Sequence, residues 1–147
     1  MEIQINVQVE TDEIHKQELE KKAKKILSAL GYTEVELSIA LVDEELMTEL
    51  NERYRGKKKP TNVLSFSMSE GEFPHLHPEV LGDVVICVPV AKKEAEESGL
   101  TVDERITELL IHGILHLFGF DHERSDEDDK KMRKKTEEIL ALLRNNN

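Results

Sequence analysis

The sequence predicts a single α+β domain in which a small mixed sheet of about four strands packs with about five helices. Four short segments carry strand patterns, and the stretches between them place apolar residues at helical spacing. Most of the connections are too long for hairpins, so a mixed sheet is expected, with a strand-rich first half and a helix-rich end. A chain of 147 residues makes one domain that buries roughly two-thirds of its unfolded surface.

Ile3, Ile5, Val7 and Val9 alternate with polar residues and read as a half-buried strand. From about Asp12 to Leu30, Ile14, Leu19, Ala23, Ile26, Leu27 and Leu30 fall on one helical face, and Gly31 can end the helix in a left-handed conformation. Val35, Leu37, Ile39 and Leu41 make the second strand. Asp43 caps a helix with apolar Leu46, Met47, Leu50 and Tyr54. Gly56 and Pro60 bracket a loop before a strand at 63–68, and Pro74 and Pro78 keep residues 69–80 from forming one regular element. Residues 84–88, between Gly82 and Pro89, are a buried strand, and Pro89 opens a short helix that stops near Gly99. Thr101 and Glu104 form a capping box at the head of a helix ending around Phe118-Gly119. Ser125 and Asp128 start a last helix running towards Leu143, with a frayed tail at 145–147.

Apolar residues make up 38% and charged residues 35%, which fits a globular chain with a charged surface and excludes disordered and fibrous classes. No apolar run approaches the roughly 20 residues of a membrane span, and the start lacks a signal-peptide pattern. Cys87 is the single cysteine, so no intrachain disulfide forms and a reducing cytoplasm is expected; its own role is a small buried hydrophobe. A net charge of −11 argues against coating nucleic acid through bulk charge. Positive charge is instead gathered in two clusters, one at Lys21, Lys22, Lys24 and Lys25, the other at Arg53, Arg55, Lys57, Lys58 and Lys59. The acidic excess lies elsewhere, notably at 94–97 and 126–129.

The informative segment runs from His112 to His122. Two histidines four apart sit one above the other on a helix, so His112 and His116 can meet one ion. Gly119 lets the chain turn sharply and return His122 as a third ligand. Neutral imidazoles suit one zinc ion, and three protein ligands leave a position open, the mark of a catalytic site. A lone His-x-x-x-His is weak, but His-x-x-x-His-x-x-Gly-x-x-His matches the spacing of the metzincin proteases and gives a zincin-like metal helix. Core or surface histidines would not place half of the six histidines in eleven residues around that glycine. Those proteases carry a general-base Glu directly after the first histidine, where this chain has Gly113. The metal site stands and ordinary zinc peptide hydrolysis is disfavoured. Glu108, one turn earlier, can face the metal, but reads more readily as a solvated helix residue.

The histidine segment, residues 54–66 (YRGKKKPTNVLSF) and residues 81–87 (LGDVVIC) together resemble the YbeY family of bacterial single-strand endoribonucleases, also called rRNA maturation factors, over about residues 35–140. The resemblance implies one zinc held by His112, His116 and His122, a catalytic role for His112 and for Arg55 of the Tyr-Arg-Gly motif, and maturation of small-subunit ribosomal RNA at its 3′ end with quality control of ribosomes. Lys58 replaces a common acidic residue, and Phe120 stands where Tyr is usual. A guanidinium at Arg55 can hold a phosphate through paired hydrogen bonds, and Arg53, Lys57 and Lys59 are expected to contact RNA. Asp121 either orients a ligand histidine or caps the following helix. Thr61 and Asn62 are candidates for placing polar groups near substrate, and Asp83 for serving the site; His75 and His77 read as surface loop residues in preference to extra metal ligands. Expected partners are ribosomal RNA and the small subunit, with no membrane and no DNA. A zinc metallopeptidase and a non-enzymatic ribosome-assembly factor with structural zinc are the rivals.

Overall fold

The computed structural model describes residues 1–11, 13–68, 80–120 and 125–145. Its elements follow in the order β1 (Glu2–Val7), α1 (Lys16–Ala29), β2 (Glu36–Val42), α2 (Glu44–Arg55), β3 (Val63–Ser67), β4 (Val80–Cys87), α3 (Val88–Ser98), α4 (Val102–Leu117) and α5 (Asp126–Asn145). The sheet has four strands in the order β1-β2-β4-β3. β1 and β2 pair in parallel, as do β2 and β4, whereas β3 runs antiparallel to β4 along one edge. The expected mixed sheet and five helices are therefore present.

Strand alternation splits the core in two. Leu37, Ile39, Leu41, Val84 and Ile86 face α1, α4 and α5, with Leu27, Leu110, Ile114 and Met132 among the residues buried there. Val42, Leu64, Val85 and Cys87 face the other way and pack with Met47 of α2. Among the described residues the sheet thus lies between a thick helical layer and helix α2 on its far side.

Local chemistry explains the ends. Asp43 caps α2 as expected, its Oδ1 accepting from Leu46 N at 2.9 Å. Gly31 follows α1 with φ +89°, its N–H bonding Ser28 O while Tyr32 N bonds Leu27 O, which closes the helix by a Schellman motif. Two boundaries differ from the sequence expectation. α1 begins at Lys16 after His15, later than Asp12, a residue outside those described. Ile14 then precedes the cap and Leu19 lies in the first turn, and both pack on the main core in the positions of a hydrophobic staple. An apolar residue outside the helix therefore prolonged the helical pattern. β4 begins at Val80, not at residue 84, and Val88 already belongs to α3. Gly82 lies inside β4 with φ +140°, where a Cβ would come within 2.1 Å of Phe66 O. The glycine marks a close approach of two strands beside an irregularity in pairing, and not a strand end. Asn145 is still helical, and 146–147 lie outside the described residues.

Candidate active site

Helix α4 positions the histidines. At its head Thr101 Oγ1 accepts from Glu104 N at 3.1 Å, and the Glu104 carboxylate accepts from Thr101 N at 2.9 Å. These bonds to the Thr101 backbone and hydroxyl hold the Glu104 carboxyl below its ordinary value. Ile106, Leu110, Ile111, Ile114 and Leu115 are buried, so His112 and His116 occupy a half-buried flank. At the far end Gly119 N bonds His116 O at 3.0 Å and Phe120 N bonds Leu115 O at 3.1 Å, with Gly119 at φ +89°. This Schellman closure turns the chain out of the helix at Gly119, three residues after His116.

The imidazoles of His112 and His116 converge. Their Nε2 atoms lie 3.0 Å apart, with ring centroids at 4.6 Å and planes at 58°. Two imidazole nitrogens sharing a tetrahedral zinc ion, each at roughly 2.0–2.1 Å, would be about 3.3 Å apart. The pair fits that demand with a shift of a few tenths of an ångström, and the donor set suits zinc. The other two expected participants, His122 and Asp121, lie outside the described residues, as do His75 and His77. Among the described residues no group of three His, Cys, Asp or Glu side chains forms a metal site.

Gly113 faces the sheet. A Cβ built there would lie 2.6 Å from Val84 Cγ1, 3.2 Å from Ser65 Oγ and 3.3 Å from Val63 Cγ2. Ser65 Oγ donates to Gly113 O at 2.8 Å. The position that holds the base in zinc proteases is therefore turned into the core, where a glutamate has no room.

His112 borders a cleft of about 260 Å³ between α4 and α5, which Asn62, Arg105, Glu108, Asp129 and Arg133 also line. Arg105 donates to Glu94 from Nε and one terminal nitrogen, both at 3.1 Å, and to Glu108 at 2.9 Å. Asn62 Nδ2 reaches the same Glu94 carboxylate at 3.2 Å. Partial burial works against the Arg105 charge, but its bonds to Glu108 and Glu94 outweigh this and raise its pKa. Glu108 is thus no solvated helix residue: it is half-buried, paired with Arg105 and one turn from His112. Asn62 lines the cleft. Glu94 and Arg105 were missed by the sequence reading. The Arg105, Glu108, His112, His116 stripe along one helical face was legible there, but the partner on α3 was not.

The second basic cluster lies at the end of α2. Asn51 is buried and grips the following loop: its side-chain Nδ2 donates to Lys59 O at 2.8 Å and its backbone carbonyl accepts from Lys57 N at 3.3 Å. Arg53, Arg55, Lys57, Lys58 and Lys59 are exposed. Arg55 lies in the layer opposite α4, and among the described residues no hydrogen bond or ion pair links it to the histidines. The loop that follows α2 enters the edge strand β3 through Asn62. The first basic cluster belongs to α1, where Lys22 binds Asp103 at 2.6 Å and Lys24 pairs with Glu20 at 3.3 Å. Asp83 sits on the α2 side of the sheet, alternating with Val84 and Ile86, and not on the histidine side; although the residue is exposed, protein crowding around its carboxyl pushes the pKa up. Cys87 is buried, which raises its thiol pKa and fits the structural role expected of it.

A family model described as Endoribonuclease YbeY matches residues 4–144. This chain belongs to the YbeY family. Proteins called endoribonuclease YbeY are similar to it across most of their length. That of Geobacter sulfurreducens is 48% identical over 86% of this chain and 85% of its own. That of Sulfurihydrogenibium sp. is 49% identical over 96% and 91%. The solution structure of TM1509 from Thermotoga maritima is similar with a TM-score of 0.62 and 31% identity, covering 98% of this chain and 93% of that one. The YbeY match takes in the histidine helix, the basic segment and both strands between them. No helix among the described residues is long and apolar enough to cross a membrane.

Proposed function

We propose that this chain is a zinc-dependent single-strand endoribonuclease that matures the 3′ end of small-subunit ribosomal RNA and serves ribosome quality control in the cytoplasm. The observation that carries the reading is the 3.0 Å convergence of two imidazole nitrogens beside a polar cleft, in a chain of the YbeY family.

His112, His116 and His122 would hold the zinc, with Asp121 orienting a ligand ring. Zinc bound there supplies Lewis-acid stabilisation of a phosphoryl oxygen and acidifies a nucleophile. Arg55 binds the scissile phosphate and offsets the charge that builds up in the transition state. Arg53, Lys57 and Lys59 hold neighbouring phosphates, so binding weakens as salt rises. The Arg105 network keeps Glu108 and Asn62 in fixed positions along the cleft wall. A peptidase is disfavoured because Gly113 is packed against Val84 and no glutamate fits in its place.

Incubation of pure protein with single-stranded RNA, with and without chelator, tests the reading, alongside elemental analysis for zinc. Cleavage that chelator abolishes and His112→Ala removes is expected. Cleavage indifferent to both, or none at all, would defeat it.

A further inference from the structure

The aromatic residues are few, two tyrosines and four phenylalanines with no tryptophan, yet one of them stands open to solvent amid the positive charge. Tyr54 is 58% exposed, the highest value among the large apolar side chains described as exposed. It lies between Arg53 and Arg55 in the last turn of α2, and Lys57, Lys58 and Lys59 follow on the loop that Asn51 holds. The ring does not hang free. Phe66 of the edge strand supports it edge-on, with centroids 4.9 Å apart and planes at 62°. An aromatic side chain left this exposed gains little from burial, whereas a braced ring among guanidinium and ammonium groups matches what an unpaired nucleotide offers: a flat base and a phosphate.

We propose that Tyr54 is a stacking platform for an unpaired RNA base, with Arg53, Arg55 and the loop lysines holding the phosphates on either side. This rests on the RNA reading above and adds a specificity residue to it. Base faces are open in a single strand and covered in a duplex, so the platform selects single-stranded substrate without reading sequence.

Tyr32→Phe leaves Tyr54 as the sole tyrosine in a chain without tryptophan, so its emission reports directly on its ring. Titrating this variant with a single-stranded oligoribonucleotide should quench that emission; a duplex of equal nucleotide concentration should leave it nearly unchanged. Tyr54→Ala should raise KM for single-stranded RNA about tenfold, the scale of one stacked base, with kcat little changed, and Tyr54→Phe should restore it. Quenching needs no turnover. A protein that quenches without cutting therefore upholds the platform and counts only against the proposed activity. No quenching, equal quenching by duplex, or a Tyr54→Ala variant with unchanged KM overturns the inference.

Discussion

At the residue scale, Gly113 links fold and chemistry. It lets α4 settle close on β3 and β4, and it denies the helix the base that a zinc protease would carry there. Gly113→Ala should therefore destabilise despite alanine's better helix propensity. That propensity favours the variant by up to about 1 kcal/mol. Against it stands a methyl 2.6 Å from Val84 Cγ1, a buried β-branched side chain with little rotamer freedom. Overpacking of this kind costs roughly 1–3 kcal/mol, so a net loss of about 1–2 kcal/mol is expected in urea unfolding. In a double-mutant cycle with Val84→Ala the two losses should fall short of their sum. Strict additivity would show that Val84 is not what the methyl meets.

At the element scale, the capping box of α4 sets where the histidine helix begins. Thr101→Ala removes the hydroxyl that accepts from Glu104 N and should cost about 1 kcal/mol at neutral pH. Glu104 has a lowered carboxyl pKa, so its contribution is complete above its unfolded value and is lost as the pH falls through its folded value. Thermal melts should show the gap between wild type and Glu104→Ala narrowing in acid, since the Thr101 N–H donor is lost to neither protein; a gap that widens there would contradict the assigned bonds. This cap was legible in the sequence because its chemistry spans four residues, and so were Asp43 and Gly119. The start of β4 was not. Gly82 reads as punctuation until Phe66, sixteen positions earlier and antiparallel to it, is seen to lie against it. Ile14 misled for the converse reason, since its apolar side chain packs on the core from outside the helix.

At the scale of the whole molecule, the site was legible where one helix carries it and illegible where the fold assembles it. His112 and His116 follow from spacing, whereas the cleft wall needs Asn62 from the β3 approach, Glu94 from α3 and Arg105 from α4 to converge. That arrangement bears on whether the proposed zinc acts on substrate or merely holds the domain together. The histidine pair rides on a helix capped at both ends, with Ile106, Leu110, Ile111, Ile114 and Leu115 each no more than 1% exposed. Burial of such side chains is worth roughly 1.5–3 kcal/mol apiece, so the five together outweigh the ~2.7 kcal/mol that a metal at a hundred times its dissociation constant contributes. Chelated protein should therefore keep its helical circular dichroism and a cooperative melt. Its Tm should sit below that of the metal-loaded form and climb with added zinc, while RNA cleavage disappears. A chelated protein that loses its helical signal and melts without a transition would make the zinc structural, and the assembly-factor reading would then replace the enzymatic one.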